Sequence, residues 1–137
     1  MIEFCAQSDV TNDENYGKVC ELIDIGSYID YYAVMLYVGR YRDWPGSNYA
    51  LWRVKKKENI PYGDGKWRWM VFDLNSPGFD VDFDSLGYVM DNDGMFRNLM
   101  ANNIFRERLF LKIEELAITV FDFEAMDEII NKYQDFI

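Results

Sequence analysis

Residues 43–75 read DWPGSNYALWRVKKKENIPYGDGKWRWMVFDLN, and this stretch decides the fold. Tyr49 to Val54 sets aromatic and aliphatic residues in strand-like order. Lys66 to Phe72 alternates, with Trp67, Trp69 and Val71 against Lys66, Arg68 and Met70, the period-two pattern of a half-buried strand. Between them, Lys55 to Lys66 is polar and carries Pro61, Gly63, Asp64 and Gly65, the composition of a long hairpin connection. The two strands therefore form one antiparallel hairpin. Ahead of it, Arg40 to Asn48 contains Pro45 and Gly46. It is too broken for a helix and too polar for a buried strand, so it reads as an ordered loop.

Outward from the hairpin the pattern is helical. Asp24 caps a predicted helix over Gly26–Gly39, where Ile29, Ala33, Leu36 and Tyr37 make a core-facing stripe. Before it, Asn12 or Asp13 caps a short helix carrying Tyr16, Val19, Cys20 and Ile23. After the hairpin, Leu74 to Gly94 holds a Pro77-Gly78 break, further glycines and five aspartates, and is expected to be irregular. From Met95 helices resume. One begins near Asn102 or Asn103 and carries Phe105, Leu109, Ile113, Leu116 and Val120. Another is capped by Asp122 and carries Phe123, Met126, Ile129, Ile130 and Tyr133. The expected fold class is α+β, mostly α, with helices around one β-hairpin.

Composition narrows the function. The 137 residues include 14 Lys plus Arg against 24 Asp plus Glu, a formal charge of −10. That sign repels phosphate backbones and anionic membrane surfaces, so neither nucleic acid nor a membrane is an expected partner. The apolar runs, such as Ala33 to Val38, fall far short of the roughly 20 residues of a bilayer span. Histidine is absent, which removes Ser-His-Asp and Cys-His catalysis and the usual zinc ligands. Cys5 and Cys20 have no metal-ligand spacing and fit free buried thiols or one optional disulfide.

Three residues carry the chemistry: Asp43, Asn48 and Asp73. The first two stand in one loop as Asp-x-x-x-x-Asn, and the third ends the second strand. Protein kinases order an Asp, an Asn and a later Asp in the same way. The loop Asp takes the substrate hydroxyl proton, while the other two hold magnesium. Phosphoryl transfer needs the nucleophile in line and the developing charge neutralised, and magnesium accepts carboxylate and amide oxygens. Read alone, the spacing also fits a turn-capping Asp43 and a backbone-bonding Asn48.

The strings IDYYAVMLYVG, DWPGSNYALWR and DGKWRWMVFDLN resemble the spore-coat-protein CotH kinase-like family. Its pattern falls on Ile29-Asp30-Tyr31, Asp43 to Asn48, Trp52-Arg53, Asp64 to Trp69, and Asp73-Leu74-Asn75. It runs from about Asn15 to Phe79 and continues more weakly in NIFRERLFLKIEEL. The resemblance implies a divergent kinase-like fold that transfers phosphate from ATP to Ser residues of proteins with Mg²⁺ or Mn²⁺. It implies Asp43 as the catalytic aspartate, and Asn48 and Asp73 as metal ligands that bind the cofactor. It also implies that residues 1–137 are the C-terminal-lobe part of that domain, with the catalytic loop and hairpin at 40–75. On that reading the lobe that covers the nucleotide is not included, and these residues alone turn over little. An apolar face normally covered is then left open to self-association. The family suggests a spore-coat, extracellular or cell-surface setting.

This sequence departs from the family pattern at Tyr41, where Asn is common, and at Asn75, where the second acid of Asp-x-Asp stands. SPGFDVDFD replaces the usual Gly/Phe-rich stretch. Asn75, the lobe not included and the acidic excursion support an alternative, a non-catalytic structural or interaction module of a spore-coat or secreted surface protein. Asp80-x-Asp82-x-Asp84 and Asp91-Asn92-Asp93-Gly94 look like calcium loops but read as solvated acidic loops, and Lys55-Lys56-Lys57 as a solvated turn. Trp44, Trp52, Trp67 and Trp69 read as hairpin packing rather than a sugar platform. Arg53 and Arg68 could orient carboxylates or lie exposed.

Overall fold

A computed structural model describes residues 1–40, 44–47, 49–55, 58–72, 74, 80 and 82–134. Among them are seven helices and two strands: α1 (Ile2–Gln7), α2 (Asp13–Leu22), α3 (Ile25–Tyr37), β1 (Ala50–Trp52), β2 (Arg68–Met70), α4 (Ser85–Asn92), α5 (Gly94–Met100), α6 (Asn103–Ile118) and α7 (Phe123–Gln134). The chain is thus mainly helical with one antiparallel hairpin, the expected architecture.

α3 is the centre. Asp24 starts it by accepting the Ser27 N–H at 3.1 Å. A Schellman turn ends it: Gly39 stands at φ 64, its N–H donates to Leu36 O, and the Arg40 N–H donates to Met35 O. One side of α3 packs on α6 and the other on β2. Its buried residues Tyr28, Tyr31 and Tyr32 join Phe96, Phe105 and Trp69 in a continuous aromatic core. Tyr28 touches three elements, stacking on Tyr32 at 4.4 Å, meeting Trp69 edge-on at 4.6 Å and tilting on Phe105 at 5.9 Å.

The hairpin is shorter than its sequence pattern, three residues per strand. The register pairs Ala50 with Met70, Leu51 with Trp69 and Trp52 with Arg68. The second edge of β2 pairs with no strand among the described residues and is stitched to the α2–α3 junction instead. Trp67 N–H donates to Leu22 O, the Asp24 N–H donates to Trp67 O, and the Ser27 hydroxyl both donates to Trp69 O and accepts the Trp69 N–H. Arg68 fixes the long connection. Its side chain is buried (5% exposed), forks onto both Asp64 oxygens at 2.7 and 3.0 Å, and donates to Lys66 O at 3.2 Å. Its Nε lies 2.9 Å from Asp24 Oδ2 as an ionic contact rather than an aligned hydrogen bond. Trp52 and Tyr62 cover the guanidinium. Arg68 thus holds the Asp64 carboxyl well below its usual range, helped by the Lys66 N–H. A lowered carboxylate stabilises the fold above its ordinary titration range and loses that only in stronger acid, so the clamp persists at mildly acid pH.

Three expectations fail. Tyr37, placed in the core-facing stripe, is exposed and stacks on Phe121. Leu74 to Gly94 is not irregular throughout, since α4 occupies Ser85–Asn92. Asp84 is its N-cap, accepting the Gly87 N–H at 2.8 Å, and Leu86, Val89 and Met90 face the core. The long helix stops at Ile118, before Val120, which is exposed. The polar ties that position the helices are long in range. Asn98 donates to Cys5 O and Ser8 O at 2.7 Å each, binding α5 to the end of α1. Buried Asn102 accepts the Phe105 N–H at the start of α6 and donates to Val10 O. Both cysteines are free. None of the described residues of α7 is buried, and Phe123 is 82% exposed.

Gly63 sits where a Cβ would come within 2.2 Å of Glu58 O, whereas Gly17, inside α2, has nothing within 4 Å of that position. Gly63→Ala should therefore lower stability by roughly 1–3 kcal/mol. Gly17→Ala should raise it by about 0.5–1 kcal/mol, because alanine loses less backbone freedom in a helix. Urea unfolding of the two variants reads both signs; equal shifts would refute this account of the connection.

Candidate functional site

Asp43, Asn48 and Asp73 lie outside the described residues, as do Tyr41, Arg42, Asn75, Lys56 and Lys57. What is described is the frame around them. Trp44, which follows Asp43 in the chain, is buried at 1% exposure and tilts on Tyr32 at 5.5 Å. Its bond to Pro45 is cis. Tyr49, which follows Asn48, enters β1, and Phe72, which precedes Asp73, leaves β2. The Ala50–Met70 pairing puts Tyr49 and Phe72 at the same end of the hairpin. Met70, Val71 and Phe72 are exposed there, an apolar ledge beside the strand end.

Next to this frame is a cavity of about 260 Å³, lined among others by Tyr28, Tyr31, Tyr32, Trp44, Trp69 and Asp93. The sequence puts Asp93 in an acidic tract, but its role here is structural. Its Oδ1 accepts the N–H groups of Met95 and Phe96 at 2.9 Å each, capping α5. Its Oδ2 accepts the hydroxyl of Tyr32, tying α3 to α5. Tyr28 Oη, Tyr31 Oη and Trp44 Nε1 are buried with no hydrogen-bond partner among the described residues. Trp44 Nε1 neighbours Tyr31 Oη without an aligned bond. Each such group costs on the order of 1–3 kcal/mol if nothing answers it. A second, more open groove of about 500 Å³ lies across α3, between Asp24, Asp30, Trp52, Tyr62 and Val71.

Of the other sequence candidates, Trp44 and Trp69 are buried, Trp67 is half-buried under the Arg53 guanidinium, and Trp52 covers Arg68. Arg68 orients Asp64 and Asp24, whereas Arg53 is exposed. Asp84 and Asp93, from the two calcium-like tracts, serve as helix caps. No three acidic or cysteine side chains group as a metal cluster among the described residues, which exclude the three candidates. Sequence patterning does not single out Arg40, a buried cation at the C-terminal end of α3 whose charge is felt by Tyr31. A loop arginine gives no periodic signal, and only the fold shows it enclosed. No described helix is long and apolar enough to cross a membrane.

Burial pushes the Tyr31 hydroxyl up to about 12, and raises Tyr28 and Tyr32 well above the ordinary tyrosine value. A raised folded-state value favours the protonated fold. That stability is complete below about pH 10 and is lost as pH climbs through the raised values. The melting temperature should therefore fall steadily from about pH 10 upward, and Tyr31→Phe should flatten part of the decline. Tyrosinate absorbance in the folded protein checks this; ordinary titration of every tyrosine would contradict it.

A family model described as CotH kinase protein matches residues 1–137. No curated protein and no solved structure matches the chain.

Proposed function

We infer, from the premise that this chain belongs to the CotH kinase protein family, that it is the catalytic-lobe portion of an atypical protein kinase. The reaction is transfer of the ATP γ-phosphoryl group to a protein Ser hydroxyl. The observation that carries the reading is the family match over residues 1–137. The sequence order of Asp43, Asn48 and Asp73 supports it. So does the hairpin, whose register brings Tyr49 and Phe72, the chain neighbours of Asn48 and Asp73, to one end.

In this reading Asp43 accepts the proton of the Ser hydroxyl as its oxygen bonds to the γ-phosphorus. The bond from phosphorus to the bridging oxygen breaks, and ADP leaves with the electron pair. Asn48 and Asp73 offer an amide oxygen and a carboxylate, a donor set that suits a hard divalent cation such as Mg²⁺ or Mn²⁺. When bound, that ion neutralises charge on the phosphates. Asn75 adds a neutral oxygen where the family pattern has an acid, which weakens the grip on the ion. The buried Trp44, next to Asp43 in the chain, and the Arg68 clamp on the hairpin supply rigidity, which positioning catalysis requires.

Thermal melting with ATP, Mg²⁺ or Mn²⁺, singly and together, tests the proposal. Ligand at 100 times its dissociation constant adds about 2.7 kcal/mol, or roughly 9 °C for a domain of this size. The shift should require metal and nucleotide together and should vanish in Asp73→Ala. Absence of any metal-linked shift, here and in the longest form of the protein that can be made, favours the non-catalytic module instead.

A further inference from the structure

The hairpin carries a charge pattern that phosphoryl transfer does not use. Residues 53–68 hold six of the 14 basic residues and two of the 24 acidic ones, so this segment is +4 while the rest of the chain is −14. We propose that the outer end of the hairpin, where Arg53, Lys55 and Lys66 stand on paired chains, is a docking surface for a short acidic peptide segment of a partner protein. The inference does not depend on Asp43, Asn48 or Asp73 and stands whether or not the chain transfers phosphate.

Read from the sequence, Lys55-Lys56-Lys57 is a solvated turn; the fold adds cations from both sides of it. The register sets Trp52 opposite Arg68, and one position outward the Arg53 guanidinium lies 4.7 Å from the centre of the Trp67 ring. Lys66 adjoins Trp67 in the chain, and Lys55 stands two residues beyond Arg53. Arg53 and Lys55 are exposed and Lys66 is half-buried. Lys56 and Lys57 lie outside the described residues and enter only through the charge count. In a chain with this surplus of carboxylates, other surface lysines have found partners: Lys18 pairs with Glu14, and Lys112 with Glu115 and Asp30. Arg53, Lys55 and Lys66 make no salt bridge among the described residues. Of the two acids in the segment, Asp64 is held by the buried Arg68, which leaves Glu58 alone against the patch. The sign of the partner is therefore negative. Its length is limited by the −14 around the patch. A DNA duplex or an anionic membrane extends past the hairpin end and meets the acidic body, which repels it. A short peptide with several carboxylates stays on the hairpin end and answers several cations at once. Arg53 adds direction: its guanidinium is seated on Trp67, and its outer N–H edge matches the two oxygens of a carboxylate.

Fluorescence anisotropy of a labelled peptide of alternating Glu and Gly, without nucleotide or metal, tests this. The peptide should bind, and binding should weaken about tenfold between about 20 and about 200 mM salt, as screening shortens the reach of the charges. A Ser–Gly peptide of equal length should not bind, and a short DNA duplex should bind more weakly than the Glu peptide. Arg53→Ala should weaken peptide binding about fivefold. Lys55→Glu, which removes one charge and adds its opposite, should weaken it about tenfold. Lys132→Glu makes the same change of net charge on α7 and should alter binding less than about twofold. Asp73→Ala should leave it unchanged, which keeps this result separate from the phosphoryl-transfer reading. Circular dichroism verifies that each variant is folded. No binding of the Glu peptide at the lower salt overturns the proposal. So does binding that is unchanged in both Arg53→Ala and Lys55→Glu, and so does a duplex bound as tightly as the peptide.

Discussion

The burial of Tyr28 is the constraint on which the rest depends. Its ring joins α3, β2 and α6, stacking on Tyr32 and meeting Trp69 and Phe105. Aromatic pairs of this kind add about 0.5–1.5 kcal/mol each beyond the area they bury. The larger effect is geometric. With Trp69 held edge-on against Tyr28, β2 can take only one rotation about its axis, and that puts Arg68 on the opposite face, where Asp24 and Asp64 wait. The hairpin connection is then fixed from both ends, although only three residues pair on each strand.

Much of this was legible in the sequence, and the failures have physical causes. The hairpin, its long connection and α3 follow from period-two and helical spacing together with the Asp24 cap. The overlooked α4 shows the ambiguity of aspartate. Asp80, Asp82 and Asp84 carry loop chemistry, yet the same side chain that favours a turn also caps a helix, and Asp84 does so. The apolar residues of α4 fill barely two turns, too few for their periodicity to outweigh the surrounding glycines. The ties through Asn98, Asn102 and Tyr32–Asp93 span 60 to 90 or more positions, and no local pattern announces them.

The candidate site rests on the sequence, because Asp43, Asn48 and Asp73 lie outside the described residues. Its residue types and their order are plain in the sequence, and the family match covers the same residues. The fold contributes the frame: a buried tryptophan on one side of the loop, a clamped hairpin on the other, and an aromatic cavity below. Residues read as uniform packing separate into two kinds. Phe96 and Phe105 fill space, whereas Tyr28, Tyr31 and Trp44 bring polar atoms into a region with few acceptors.

α7 stands apart from this core. It is capped by Asp122, whose carboxylate accepts the Glu124 and Ala125 N–H groups, and the stack of Phe121 on Tyr37 at 4.4 Å secures the turn before it. Beyond that point no described side chain of α7 is buried. A twelve-residue helix is marginal in water when local hydrogen bonds are nearly its whole support. Its backbone amides are therefore expected to exchange with solvent through a small opening free energy. Opening of α7 is therefore expected to leave the buried contacts of α3 in place.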